Sequence, residues 1–288
     1  MLTDFIQHAF YVITGSESLK KYIERYTPKV KCIHAAFDFH ILEGIEQNKK
    51  WNKINILYSG SLYREADFDG LLPALQKIAT EYSETVTLHF NGFVPLSLKG
   101  FKNIIFNDHF YPYEDYIKKQ FQAGYDIGIA PLSDTFSNRA KSNLKFREYG
   151  ACRIAGIYTN IPPYSECVID HHNGLLVPHH SEAWYEAIKI LIEDSALRRK
   201  IAEHAYESVK TKYTHEAIAP EWEAVLEVLP RATKVDFSLY FHLYLAKVQR
   251  YFMSIRYKIK RTLDYYRYYG ILLTVKKIGE TLCVRARQ

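Results

Sequence analysis

From Lys53 onward the chain alternates short apolar runs with longer amphipathic ones. Residues 53–61 (KINILYSGS) form an apolar run closed by Ser-Gly, the pattern of a buried strand. Residues 67–82 then carry apolar positions at helical spacing. Strands follow over 85–92, closed by Asn-Gly, and over 103–108. A helix is predicted over 114–124, with Gly124 at its C-terminal end. Further strands fall at 125–132, 153–160 and 174–178, with a helix over 142–151. Two helices, 181–194 and 195–213, close this stretch, and Ser181 is the expected N-cap of the first.

Strands that alternate with helices imply an α/β fold: a Rossmann-like parallel sheet with helices on both faces. Such sheets bind ligands at the carboxyl ends of their strands, where the strand order reverses. Residues 1–50 read differently, as one strand-helix unit (10–26) and one further strand (29–38), too little to bury a core alone. They are expected to be the remnant of a preceding domain and a linker, with 40–53 a connecting loop. Residues 51–230 form the main domain and 231–288 a helical tail.

Charge divides the chain at the same place. Residues 231–288 hold 13 Lys and Arg against three acids, a net +10, whereas the preceding 230 residues hold 25 against 29, a net −4. The tail interleaves this charge with Phe237, Tyr240, Phe241, Tyr244, Tyr251, Phe252 and Tyr257. Such composition favours an anionic membrane surface. Packing of the tail on another domain is the alternative, and nucleic acid is disfavoured because no RNP or zinc-finger pattern is present.

Cys32, Cys152, Cys167 and Cys283 lie far apart, which fits a reducing compartment. The adjacent pairs His171-His172 and His179-His180 have no ligand spacing to a cysteine, so no metal is expected. The first residues make no signal peptide, and no stretch reaches the about 18 apolar residues that span a bilayer. The expected place is the cytoplasm, with a peripheral position at the inner face of the membrane if the tail binds lipid.

Three loops at strand ends carry candidate chemistry. Gly60 and Ser61, with Arg64 behind them, offer backbone amides and a guanidinium to a phosphate; Arg64 as a solvated surface residue is the plain alternative. Residues 138–148 (NRAKSNLKFRE) open the 142–151 helix, with Ser142 or Asn143 as its cap. Lys141 and Lys145 lie on one face of it, with Glu148 three residues on. Two cations at a helix start oppose the dipole unless an anion such as a diphosphate sits there. Glu148, one turn deeper, is placed to accept from two ribose hydroxyls; a plain Lys145–Glu148 ion pair is the other outcome. In the third loop, Phe110, Tyr111, Pro112 and Tyr113 suit either a nucleobase or the loop's own packing. No GxGxxG, Walker A or GxSxG pattern is present.

Three segments, ILYSGSLYREADFDGLLPAL, YDIGIAPLSDTFSNRAKSNLKFREYGACRIAGIYTNIPPYSE and NGLLVP, resemble the second, donor-binding domain of GT-B retaining glycosyltransferases of family 4, the glycosyl transferases group 1. The likeness runs from about Tyr11 to Val228. It is closest to bacterial surface-polysaccharide enzymes with a Lys-Ser-Asn-x-Lys-Phe-x-Glu-Tyr helix. The resemblance implies a nucleotide-diphosphate sugar as donor, a glycan or lipid-linked acceptor, and no metal or other cofactor. It assigns the donor diphosphate to Gly60, Ser61, Arg64, Lys141, Ser142, Asn143 and Lys145, the ribose to Glu148, and the base to Phe110 and Tyr111. Many members carry a further glutamate eight positions before the ribose carboxylate, where this chain has Ala140. The catalytic group is therefore left unassigned. The family's first domain supplies most acceptor contacts, so this chain is expected to need a separate N-terminal domain. A non-catalytic nucleotide-sugar-binding or scaffold module is the competing reading.

Overall fold

The computed structural model describes residues 2–48, 52–60, 64–108 and 111–229. The basic aromatic segment 231–288, with the helices expected of it, lies outside the described residues, as do Ser61 and Phe110. The chain begins with α1 (Leu2–His8), β1 (Val12–Thr14), α2 (Glu17–Ile23) and β2 (Val30–Cys32). Next come β3 (Ile54–Ser59), α3 (Glu65–Phe68), α4 (Leu72–Glu81), β4 (Val86–Asn91) and β5 (Ile104–Asn107). They are followed by α5 (Tyr113–Ala123), β6 (Ile127–Ala130), α6 (Phe136–Arg139), α7 (Leu144–Ala151), β7 (Ala155–Thr159) and β8 (Leu175–Val177). Helices α8 (Ser181–Glu193), α9 (Ser195–Lys212) and α10 (His215–Val228) complete the described part.

Strands β3 to β8 build one six-stranded parallel sheet in the order β5-β4-β3-β6-β7-β8. The chain starts in the middle at β3, works outward to β5, then returns to the other side of β3 with β6. Strand order therefore reverses between β3 and β6, which pair through Ile56 with Ile127 and Tyr58 with Ile129. In open α/β sheets the carboxyl edge at such a reversal is where a ligand crevice forms. Strands β1 and β2 form a separate parallel pair.

The central strands are apolar because both faces are covered: β6 and β7 are buried at every position. Helix α7 lies against β6 at close range because Gly128 has no side chain. A Cβ there would come within 2.5 Å of the Tyr149 ring, and Tyr149 Oη donates to the Ile129 carbonyl at 3.0 Å. The opposite side of α7 is tied to the amino-terminal segment. Arg147, buried, donates from Nη1 to the Ala35 carbonyl at 2.7 Å and from Nε to Asn143 Oδ1 at 3.0 Å. The Phe37 amide bonds to the Tyr213 carbonyl at 2.6 Å, and Ile33 packs with Ile218 and Val225 of α10.

Several local expectations are corrected. The helix read over 67–82 is broken into α3 and α4, because Pro73, with no amide hydrogen and a fixed φ, sits in the first turn of a new helix. Helix α8 is capped by His180 rather than Ser181: the His180 ring accepts from the Ala183 amide at 3.4 Å. Neither Ser142 nor Asn143 caps α7 through its side chain. Asn143 is the cap residue, but its amide is diverted to Arg147 and to the Tyr213 hydroxyl at 2.9 Å. Gly124 ends α5 in the left-handed conformation, at φ 61°, as its position predicts.

Among the described residues no helix is long and apolar enough to cross a membrane. Because the Gly128–Tyr149 contact sets the depth of α7, Gly128→Ala is expected to overpack it. Thermal unfolding should show a loss of several degrees, on the order of 1–3 kcal/mol. An unchanged midpoint would mean that Tyr149 moves freely and does not fix the helix.

Candidate functional site

The crevice is lined from the β3 side by Gly60 and Arg64. The Gly60 amide donates to the Asn91 carbonyl at 3.0 Å, and the Tyr58 hydroxyl fills the space that a Cβ on Gly60 would need. Arg64 precedes α3 and donates from Nη1 to Asp67 Oδ2 at 3.3 Å. Its side chain is 30% exposed and that of Asp67 is 6% exposed, so the guanidinium faces outward over a buried carboxylate.

From the β6 side, three donors converge on the other oxygen of the same carboxylate. Asp67 Oδ1 accepts from the Ser133 amide at 2.8 Å, the Ser133 hydroxyl at 2.9 Å and Asn138 Nδ2 at 2.8 Å. The Asn138 carbonyl oxygen in turn accepts from Lys141 Nζ in a short bond. The Lys141 ammonium is pushed down to about 8, by burial first and by Arg64 second, with Asp67 opposing the fall. Arg64 thus pairs with Asp67 directly, and Lys141 is joined to the same carboxylate through Asn138.

A second group sits on α7. Lys145 Nζ lies 2.6 Å from Glu148 Oε2, three residues apart on one helix face. Tyr116 of α5 completes a triangle: its hydroxyl is 3.2 Å from Lys145 Nζ and 3.2 Å from Glu148 Oε2. The same hydroxyl is 2.7 Å from Gln120 Oε1. With one proton, the phenol accepts from Lys145 and donates either to the Glu148 carboxylate or to the Gln120 amide oxygen. Burial holds the Tyr116 phenol well above its ordinary range, Glu148 adds to that, and a bond to Ser59 at the end of β3 works against it. For Lys145, burial favours loss of the proton, but Glu148 outweighs it and the ammonium is held above its ordinary value. Lys145 is 21% exposed and Glu148 2%, so the carboxylate lies beneath its cation. The ion pair weighed as one outcome of the spacing is therefore formed.

The other sequence-predicted residues are dispersed in role. Ser142 lies beside the turn between β1 and α2, 3.7 Å from the place of a Cβ on Gly15, and Ser16 Oγ donates to the Ala140 carbonyl at 3.0 Å. Asn143 is spent on Arg147 and Tyr213. Tyr111 is exposed, with Lys119 Nζ of α5 4.7 Å from its ring centre. Sequence reasoning missed Asp67, Ser133 and Tyr116. Asp67 lies three residues after Arg64, and Tyr116 lies four before Gln120, so helical spacing gave a faint signal in both cases.

The sequence pattern of the glycosyl transferases group 1 family matches residues 53–194. No curated protein matches the chain. Among solved structures, sucrose-phosphate synthase from Thermosynechococcus elongatus is similar over 85% of this chain, with 17% identity and a TM-score of 0.59. HepE of Anabaena, solved in complex with UDP and glucose, is similar over 78%, with 16% identity and a TM-score of 0.62. A glycosyltransferase from Rickettsia africae is similar over 80%, with 16% identity and a TM-score of 0.62. The chain spans 61% of the first of these, 65% of the second and 68% of the third. At such identities the likeness is one of fold, and it is the GT-B glycosyltransferase fold that the six-stranded sheet shares. Residues 53–194, just under half of the chain, thus carry the likeness to the glycosyl transferases group 1 family.

Proposed function

We propose that the crevice between β3 and β6 binds the nucleoside diphosphate of a sugar donor, and that the chain serves a glycosyltransferase. The observation that carries this reading is the gathering of cationic side chains where strand order reverses. Arg64 pairs with Asp67, Lys141 is joined to the same carboxylate through Asn138, and the positive end of α7 with Lys145 stands opposite. A diphosphate bound there draws the Lys145 ammonium toward it and frees Glu148 Oε2 for vicinal ribose hydroxyls. As the sugar–phosphate bond breaks, the developing negative charge is met by fixed cations and the helix dipole rather than by a metal. HepE was captured with UDP and glucose, which makes a uridine nucleotide the first ligand to test.

In this reading the acceptor is a glycan or lipid-linked glycan of surface polysaccharide synthesis, and the transferred carbon keeps its configuration, as the family-4 resemblance implies. The +10 segment 231–288 holds the protein at an anionic membrane surface on the cytoplasmic side. A second reading, a non-catalytic nucleotide-sugar-binding or scaffold module, is favoured by Ala140, which offers neither carboxylate nor hydroxyl at the rim of the site.

Calorimetric titration with UDP, GDP, ADP and CDP tests the first reading. One of them should bind, and Lys145→Ala and Glu148→Ala should each weaken it about tenfold or more, the loss of one charged hydrogen bond. Binding by none would leave only a scaffold. Donor hydrolysis or transfer separates the enzyme from a binding module. For the segment 231–288, the intact chain should sediment with vesicles containing phosphatidylserine, and deletion of these residues should abolish that. Equal sedimentation of both forms would remove the membrane role.

A further inference from the structure

The feature that joins the two halves of the crevice is Asp67, and neither the family match nor the sequence assigns it a role. Its carboxylate is buried and its bonds reach across the reversal in strand order. One oxygen holds Arg64, which belongs to the β3 side; the other holds the Ser133 amide, the Ser133 hydroxyl and Asn138, which belong to the β6 side. The pull of the carboxylate also sets the Asn138 amide. Its NH2 is turned to Asp67 and to the Ser133 carbonyl at 2.8 Å, so its oxygen is left facing Lys141. A direct Asp67–Lys141 pair would neutralise the lysine. Placing a neutral amide between them fixes the position of the ammonium and keeps its charge for a ligand.

Resting on the donor-site reading above, we propose that Asp67 is a positioning residue that holds Arg64 directly and Lys141 through Asn138, so that two cations from opposite sides of the crevice meet one diphosphate. The charged groups that act on Lys141 are Arg64 and Asp67, both from the β3 side. The exposed Asp134–Arg139 pair lies on its own loop, outside the network.

The sign of one substitution separates positioning from plain electrostatics. Asp67→Asn removes a negative charge beside an anion site. If the carboxylate only repels the ligand, affinity rises; if it positions the cations, affinity falls, about tenfold or more. The test is titration of the intact chain and its variants with whichever of UDP, GDP, ADP and CDP the intact chain binds most tightly, between pH 6.5 and 9.5. In the intact chain, affinity should be level below about pH 8 and fall above it, as Lys141 gives up its proton. In Asp67→Asn the fall should begin at a lower pH, because the group that opposes the loss of that proton is gone. A role confined to stability would not move this break.

Asn138→Ala keeps the Arg64–Asp67 pair and serves if Asp67→Asn does not fold. It should weaken binding, and it should add little further loss on top of Lys141→Ala. Asp134→Asn, an equal change of charge outside the network, should leave affinity unchanged. Equal or tighter binding by Asp67→Asn with an unmoved pH break, or full additivity of Asn138→Ala and Lys141→Ala, overturns the positioning role while the donor site stands. Failure of the intact chain to bind any of the four nucleotides overturns both.

Discussion

One buried carboxylate balances two cations where the sheet changes direction. Strands β3 and β6 lie side by side at the reversal in strand order, and the side chains that follow each of them are tied together there. Asp67 does this with bonds to both loops, and because its oxygens are already taken by the protein it competes weakly for the charge of Lys141. Removing one partner from such a buried set leaves the others unsatisfied, which is why the arrangement is held tightly.

The second half of the site depends on the placement of α7. Its amino-terminal end is set by contacts on three sides: Tyr149 lies on Gly128 of β6, Arg147 grips the carbonyls after β2, and Tyr116 of α5 closes over Lys145 and Glu148. Lys145 and Tyr116 are partly exposed, whereas the Glu148 carboxylate is buried. The amino-terminal elements are thus part of the frame of the site, through Ala35, Ser16 and Phe37.

The alternation of strands and helices was legible from Lys53 onward because a parallel sheet covered on both faces requires continuous apolar runs, and β6 and β7 supply them. The family resemblance was legible because the most specific of its three segments, 125–166, is one continuous stretch that includes α7. The spacing of Lys145 and Glu148 on one helical face left their pairing as one of two outcomes, and the pair is formed. Bonds between distant parts of the chain were not legible. Asp67 and Asn138 are 71 positions apart, and Tyr116 and Glu148 are 32 apart. Nor could the sequence show that Arg147 and Tyr213 would draw the Asn143 side chain away from a cap. Helix α10 was hidden by Pro220 within it, which breaks the usual reading of a helix from its pattern.

The most direct test is a crystal structure of the chain with a bound nucleoside diphosphate. The account predicts phosphate oxygens within hydrogen-bonding distance of Arg64 and Lys141 at the start of α7, with the ribose hydroxyls on Glu148. A nucleotide bound on another face of the sheet, or one that leaves the Lys145–Glu148 pair and the α7 amides untouched, would contradict it.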